Sequence, residues 1–197
     1  RPKVKVSIAD YGVGNLHSIR KALELAGARP VIESNMKNLL DAEVIVFPGV
    51  GAFDSAMERL LPYKEMLADR LNAGTPCLGI CIGAQILFEG SEEGRRPGLG
   101  IIKGNVIRLK AERVPHMGWN KVVSTDRAFE GTPSPYYYFA HSYHGVPSED
   151  AAVATTDYFG EFPSAFRKMN VLGVQFHPEK SNASGAVFLR NFVKFIE

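Results

Sequence analysis

Apolar positions in the first half of the chain follow two periods, one typical of buried strands and one typical of amphipathic helices. The strand candidates are short apolar runs at residues 4–8, 30–32, 44–47 and 76–80. Helical spacing runs from Asn15, a candidate cap, to about Ala26, and from about Phe53 to Ala73 with a break near Pro62. A further helix is predicted to start at residues 83–88. Strands that alternate with helices in this way predict a parallel α/β sheet.

The pattern changes after Gly98, where short strand candidates follow one another without helices between them. These candidates lie at residues 101–109, 121–124, 136–140, 151–156 and 165–168. They predict an antiparallel extension of the same sheet rather than a second domain. Residues 171–176 form another buried strand, and residues 184–196 form an amphipathic helix. Its apolar side is predicted to carry Val187, Phe188, Phe192 and Phe195.

The predicted fold is therefore a single α/β domain over residues 1–197. Its open, mostly parallel central sheet is flanked by helices, with the antiparallel extension in the second half. Hydrophobic residues make up 45% of the chain and charged residues 22%, an ordinary globular balance. The net charge of +2 is too small to suggest binding to nucleic acid.

Apolar runs and cysteine usage exclude further classes of function. No run approaches the roughly 20 apolar residues of a membrane-spanning helix, and no secretory segment follows the N-terminus. The two cysteines, Cys77 and Cys81, lie in one short segment, which argues against a disulfide framework. No neighbouring pair of histidines supports a zinc site. We therefore expect a cytoplasmic protein with no membrane partner, no metal and no cofactor, in which Cys77 is a core residue.

The segment 76–85 holds the most informative motif, a strand followed by Gly79-x-Cys81-x-Gly83 and then a helix. This is the cysteine form of the nucleophile elbow, a sharp turn that exposes a nucleophile at the end of a strand. The helix N-terminus favours the thiolate, and the backbone N–H of Ile82 faces the place where an oxyanion would form. The same pattern is also compatible with a buried cysteine in an ordinary strand-to-helix turn.

A cysteine nucleophile requires a base, and His177 is the best candidate among five histidines. It follows the apolar strand 171–176, and the carboxyl ends of parallel strands meet at one edge of a sheet, so it can approach Cys81. Glu179 lies two residues further on, across Pro178, and in extended chain it can reach the second imidazole nitrogen. The alternative is a histidine at a helix start beside a solvated glutamate. A structural role is favoured for His17, His116, His141 and His144.

Taken together, these motifs resemble the class I, triad-type glutamine amidotransferases. The segments that carry the resemblance are Gly79–Gln85 and Gln175–Glu179. Four more narrow it to the family of glutaminase subunits of imidazole glycerol phosphate synthase, namely Asp10–Asn15, Pro48–Phe53, Pro115–Asn120 and His177–Ser181. The resemblance covers nearly the whole chain.

The resemblance implies a reaction and a partner. Cys81 attacks the side-chain amide of L-glutamine, His177 protonates the departing ammonia, and water then hydrolyses the thioester. Members of this family pass the ammonia to a (β/α)8-barrel cyclase. That partner makes imidazole glycerol phosphate and aminoimidazole carboxamide ribotide in histidine biosynthesis. Because no barrel sequence follows Glu197, we expect a heterodimer of separate chains.

Further roles are implied by matching positions. The oxyanion hole would be formed by the N–H groups of Val50 and Ile82. Substrate would be held by Gly51, Gln85, Glu93, Ser142 and Tyr143. The cyclase would be faced by Asp10, Asn15, Trp119, Asn120, Tyr136 and Lys180. The family often has Leu at position 82 and Met at position 84, where this chain has Ile and Ala. The run 143–146 also departs from the usual aromatic residues.

The glycines on either side of Val50 allow its peptide to rotate at low steric cost. We therefore hypothesise that the oxyanion hole is completed only when the partner and its ligand arrive. Two competing interpretations remain. One is another glutaminase on the same scaffold, of pyridoxal phosphate synthesis or of an anthranilate-type synthase, against which the segment 115–120 argues. The other is a module that binds glutamine without chemistry, which would need no nucleophile.

Overall fold

A computed structural model describes residues 2–196 of the chain. Its helices are α1 (His17–Leu25), α2 (Phe53–Leu60), α3 (Lys64–Asn72), α4 (Ile82–Gln85) and α5 (Asn182–Ile196). Its strands are β1 (Lys5–Ala9), β2 (Arg29–Glu33), β3 (Ile45–Phe47), β4 (Cys77–Ile80), β5 (Gly90–Ser91), β6 (Gly104–Arg108), β7 (His116–Lys121), β8 (Val123–Ser124), β9 (Tyr136–His141), β10 (Tyr143–Pro147), β11 (Ala152–Asp157), β12 (Glu161–Lys168) and β13 (Val171–Val174). Short 3₁₀ helices cover Met36–Asp41, Leu61–Tyr63, Arg127–Phe129 and Pro178–Lys180.

The central sheet has eight strands in the order β2-β1-β3-β4-β13-β12-β11-β8. The strands from β2 to β13 in this order pair in parallel, and β12, β11 and β8 continue the sheet in antiparallel fashion. The strands β3, β4 and β13 are buried at every position, as expected for strands that are covered on both faces. The predicted fold class, including the antiparallel extension, is therefore confirmed.

Two small sheets lie beside the central one, and the sequence pattern predicted neither β7 nor β10. One small sheet has the order β10-β6-β5, and the other pairs β7 with β9. The apolar residues of β7, Met117 and Trp119, are 64% and 49% exposed, whereas the buried position is taken by His116. The pattern of β7 is thus inverted relative to an ordinary half-buried strand. In β10, Val146 is exposed as well.

The helix predicted from residue 83 stops after one turn. The carbonyl groups of Ile86, Leu87 and Phe88 accept hydrogen bonds from the N–H groups of residues 99, 102 and 100 instead of from a continuing helix. The predicted break near Pro62 is present, because a 3₁₀ turn separates α2 from α3. In α5, Phe188 and Phe192 are buried as predicted, but Phe195 is 40% exposed. The Arg127 guanidinium lies 5.0 Å from the centre of its ring.

Two neighbouring strands of the central sheet bring the functional segments together. In the parallel pair of β4 and β13, Ile80 lies opposite Val174. The chain continues from the ends of these strands to Cys81 and to His177. No helix in residues 2–196 is long and apolar enough to cross a membrane.

Candidate active site

Cys81 directly follows β4 and precedes α4, so that strand and helix meet at this residue. Its backbone has φ 55° and ψ −114°, a conformation that residues other than glycine rarely adopt. The N–H of Cys81 donates to the carbonyl oxygen of Val174 at 2.7 Å, and its own carbonyl accepts from the first turn of α4. A side chain at Gly83 would meet the backbone carbonyl of Phe47. The structure therefore has the geometry of a nucleophile elbow, with Cys81 at its tip.

His177 lies close to Cys81, and Glu179 fixes its ring. The Nδ1 atom of His177 lies 3.0 Å from Oε2 of Glu179, and the two side chains are only 4% and 8% exposed. The backbone N–H of His177 donates to the carbonyl oxygen of Tyr138 at 2.9 Å. The Ser181 hydroxyl donates to the carbonyl oxygen of His177 at 2.6 Å. The histidine is thus held through its ring and through both sides of its backbone.

The charges around His177 favour its protonated form. Burial by itself lowers the pKa of His177, but hydrogen bonds with Cys81 and Glu179, and the negative charges of these partners, raise it to about 10. The Nδ1–H then donates to Glu179, and Nε2–H is the proton available on the side of the sulfur. Burial raises the pKa of the Cys77 thiol, which stays protonated in the core. Cys77, inside β4, and Cys81, just after its end, therefore lie in different environments. Only Cys81 lies next to His177.

A cavity of about 420 Å³ opens in front of Cys81. All five residues predicted to hold the substrate line it, together with Ile82 of the predicted oxyanion hole. The N–H of Ile82 belongs to the first turn of α4, where backbone N–H groups have no partner within the helix. Glu93 is anchored at the cavity wall, because its Oε1 accepts the N–H of Phe53 at 3.0 Å. The size and the polar lining suit a small polar ligand.

Val50, the other residue predicted for the oxyanion hole, packs against the loop that follows β1. A Cβ atom added to Gly14 would lie 2.6 Å from Cβ of Val50, and one added to Gly51 would lie 2.7 Å from Cγ2 of Val13. Gly51 has φ +83°, a value that favours glycine. The segment 49–51 therefore lies between the cavity and the loop 10–15.

The residues predicted to face a partner are not equivalent. Trp119 and Tyr136 lie on the sheet formed by β7 and β9, and each is 49% exposed. Lys180 and Asn15 are exposed, and the Asn15 side chain accepts the N–H of His17. Asp10 accepts the N–H of Gly12 in the same loop. Asn120 differs, because its side-chain amide donates within the chain to His116 and to the carbonyl oxygen of Asp157.

Sequence reasoning missed the buried polar residues beside Cys81. Gln175 is fully buried, and its Nε2 lies 3.5 Å from the Cys81 sulfur. His116 and His141 join through Nδ1 and Nε2 at 2.9 Å. Burial lowers the pKa of His116 to about 4 and that of His141 to about 3, so both are neutral at neutral pH. The one sequence signal that could have pointed to Gln175 was a polar glutamine inside the otherwise apolar run 171–176.

Comparison with known proteins identifies the class to which this fold and site belong. The family model for class-I glutamine amidotransferases matches residues 7–195. A solved structure described as glutamine amidotransferase superposes with a TM-score of 0.77 at 19% identity, covering 97% of this chain and 98% of that one. That likeness concerns the fold alone. The chain belongs to the class-I glutamine amidotransferase family.

Its relatives in that family narrow the identification. Imidazole glycerol phosphate synthase subunit HisH of Methanocaldococcus jannaschii is 50% identical over 196 residues, which cover 97% of this chain and 100% of that protein. The HisH subunit of Thermococcus kodakarensis is 46% identical, covering 95% of this chain and 98% of that protein. The resemblance to the glutaminase subunits of imidazole glycerol phosphate synthase is therefore confirmed.

Proposed function

We propose that this chain is the glutaminase subunit of an imidazole glycerol phosphate synthase and that Cys81, His177 and Glu179 carry its reaction. The observation that carries the proposal is the arrangement of these three residues. Adjacent parallel strands bring Cys81 and His177 together at one edge of the sheet, and Oε2 of Glu179 lies 3.0 Å from Nδ1 of the histidine ring. A protein that only bound glutamine would require neither the elbow nor the ion pair.

In the first half of the reaction, the Cys81 sulfur attacks the side-chain amide carbon of L-glutamine. The carbonyl oxygen becomes an oxyanion, which the N–H groups of Ile82 and Val50 stabilise. His177 donates its Nε2 proton to the amide nitrogen as the carbon–nitrogen bond breaks, which releases ammonia and leaves a thioester. Because the pKa of His177 is raised to about 10, its ring carries this proton at neutral pH.

In the second half, His177 accepts a proton from water, and the resulting hydroxide attacks the thioester carbon. A second oxyanion forms and collapses with cleavage of the carbon–sulfur bond, which releases glutamate. Cys81 returns as a thiolate beside protonated His177. Throughout, Glu179 holds the Nδ1 proton and stabilises the imidazolium, which is the role of the third member of a triad.

The ammonia would be used by a (β/α)8-barrel cyclase bound to this chain in a heterodimer. That partner would form imidazole glycerol phosphate and aminoimidazole carboxamide ribotide in histidine biosynthesis. The exposed Met117, Trp119 and Tyr136 on the sheet of β7 and β9 support such an interface, because clustered exposed apolar side chains favour protein contacts. Met117 also lines the cavity in front of Cys81, so this surface lies next to the site.

A pair of cysteine variants tests the chemistry. In the complex with its cyclase, Cys81→Ala should abolish glutamine-dependent synthesis but keep synthesis from added ammonium salts. Cys77→Ala is the matched control, since it removes the other thiol, which lies in the strand that leads to Cys81, and it should keep glutaminase activity. Glutamate release by Cys81→Ala at the wild-type rate would remove Cys81 from the mechanism. Failure of the cyclase to co-purify with the chain would instead count against the proposed partner.

A further inference from the structure

We propose that Gln175 is a further catalytic residue, whose side-chain amide donates a hydrogen bond to the Cys81 sulfur in an orientation fixed by a buried chain of hydrogen bonds that ends at Asn120. This inference rests on the proposed function, in which Cys81 is the nucleophile. Gln175 is fully buried in the connection between β13 and His177. Its Nε2 lies 3.5 Å from the sulfur, within the range of an N–H···S hydrogen bond.

The orientation of this amide follows from its other neighbour. A glutamine side chain can be turned so that either oxygen or nitrogen faces a given atom. Nε2 of Gln85 lies 2.9 Å from the carbonyl oxygen of Tyr143, which can only accept, and 3.2 Å from Oε1 of Gln175. Gln85 therefore donates to both atoms, and the oxygen of Gln175 must face it. The N–H of Gln175 is then left for the sulfur.

The Tyr143 carbonyl accepts in turn from the first of two linked, buried histidines. Nδ1 of His141 lies 2.8 Å from this oxygen, so Nδ1 carries the proton and, in the neutral ring, Nε2 accepts. Nδ1 of His116 lies 2.9 Å from that nitrogen and must therefore donate to it. Nε2 of His116 then accepts from the Asn120 amide, at 3.1 Å.

The far end of the chain independently requires the same arrangement of protons. Nδ2 of Asn120 also lies 2.9 Å from the carbonyl oxygen of Asp157, which only accepts. Its Oδ1 lies 2.7 Å from the N–H of Lys121, which only donates. Both ends therefore give one direction of donation, from Asn120 through His116 and His141 to the Tyr143 carbonyl. The same carbonyl fixes Gln85, and through it Gln175.

The surroundings of the two histidines keep this series of hydrogen-bonded side chains uncharged. The ring of His116 stacks between Tyr158 and Phe139, with centroid distances of 4.0 Å and 4.7 Å. An added proton on Nε2 of His116 would face the Asn120 amide hydrogens, and one on Nε2 of His141 would face the proton of His116. Asn120, His116 and His141 are positioning residues in this scheme, because they act on the sulfur only through the Tyr143 carbonyl and the two glutamines.

The chemical effect is a choice between two states of the sulfur. The carbonyl oxygen of Ala140 lies 3.8 Å from the sulfur and can accept from the neutral S–H. The N–H of Gln175 favours the thiolate, which only accepts. The titratable groups near the Cys81 sulfur and the Gln175 amide are His177 and His141. Gln175 thus supports the anionic nucleophile through a hydrogen bond separate from that of His177.

Two variants of Gln175 distinguish this role from simple packing. Glutaminase kcat and KM are measured in the complex between pH 6 and pH 9. Gln175→Met keeps the length of the side chain but removes the donor, and kcat should fall about 10- to 100-fold with KM changed less than about threefold. Gln175→Glu can donate while its carboxyl group is protonated but repels the thiolate once ionised. Its kcat/KM should therefore fall with rising pH along a limb that the wild type lacks.

The controls separate this inference from the proposed function. Ammonia-dependent synthesis by each variant complex shows that the chain is folded and assembled. Asn191→Asp changes an amide that donates to the carbonyls of Ala128 and Glu130, far from the sulfur, and should leave the pH profile unchanged. If Cys81→Ala abolishes activity but Gln175→Met keeps wild-type kcat, or Gln175→Glu gives a profile parallel to the wild type, this inference is wrong and the nucleophile stands. If Cys81→Ala keeps activity, the proposed function itself fails.

Discussion

Gly49 lies against both Cys81 and His177, the proposed nucleophile and its base, so a single added methyl group tests the proposed site directly. A Cβ atom at this position would lie 2.7 Å from Cε1 of His177, 3.0 Å from the carbonyl oxygen of Ile80 and 3.1 Å from Cβ of Cys81. Ordinary van der Waals contact begins at 3.4 Å, so in Gly49→Ala the histidine ring must move by at least 0.7 Å, the difference between 3.4 and 2.7 Å. The backbone at Gly49 does not have a positive φ, so alanine itself is conformationally acceptable there.

The His177 ring is not free to shift together with the Cys81 sulfur. Glu179 holds Nδ1 at 3.0 Å, and Tyr138 holds the backbone of His177. Misplacing a catalytic group by about 1 Å typically costs about 100-fold in rate, so we expect kcat for glutamine hydrolysis to fall about 100-fold. KM should change less than about threefold, because Gly49 does not line the cavity that holds the substrate residues.

The assay is glutamate release by the complex with its cyclase, with ammonia-dependent synthesis as the measure of folding and assembly. Gly90→Ala is the matched control, because the Cβ added there meets only the end of the Asn105 side chain, at 3.2 Å. It should keep wild-type kcat. A Gly49→Ala complex that makes product from ammonia and still hydrolyses glutamine within about threefold of the wild type would refute the proposed contact between the methyl group and the catalytic pair.

Two further predictions concern stability. Because the pKa of His116 is lowered from 6.5 to about 4, the unfolded chain binds a proton between these values that the folded chain does not, so His116 alone should lower the free energy of unfolding by about 3 kcal/mol from pH 6.5 to pH 4. Urea denaturation at pH 6.5 and pH 4 measures this loss, which should shrink in His116→Phe but not in the exposed control His17→Gln, and equal losses in all three would contradict the assignment. Asp126→Asn should destabilise the fold by about 2 kcal/mol, because Asp126 accepts two hydrogen bonds from Arg167 at 2.8 and 2.7 Å and is only 9% exposed. Glu58→Gln, which breaks the exposed pair with Arg96, should change it by less than about 0.5 kcal/mol, and similar losses in both variants would contradict the importance of burial.

The centre of the parallel half of the fold was predictable because β3, β4 and β13 are buried on both faces. The runs 44–47 and 76–80 are apolar at every position. They can therefore be recognised as buried strands without knowledge of the elements that pack on them. The elbow was also predictable, since Gly79 and Gly83 are required by the local turn. The small sheets were harder, because β7 turns Met117 and Trp119 outwards and buries His116.

The environment of Cys81, the proposed nucleophile, could be predicted only in part. Local spacing linked Glu179 to His177, because the two are neighbours in extended chain. The contact of Gln175 with Cys81 joins residues 94 positions apart in sequence. The contact of His116 with His141 joins residues 25 positions apart. Spacing along the chain contains no signal for either contact, since both depend on how β13 meets β4 and how β7 pairs with β9.

The pairing of β4 with β13 fixes the sheet edge near Cys81 and His177, whereas the loops around the cavity can change shape. Cys81 directly follows β4, and His177 lies three residues beyond β13, so the pairing of these strands, about 4.8 Å apart, sets where the two segments start. A protein that binds the surface of this chain cannot separate the ends of these strands without breaking the core. It can reshape the loop 10–15 and the segment 49–51, which lie outside the sheet. Any control of the rate by the proposed partner would therefore act at the rim of the cavity rather than on the pairing of the strands that lead to Cys81 and His177.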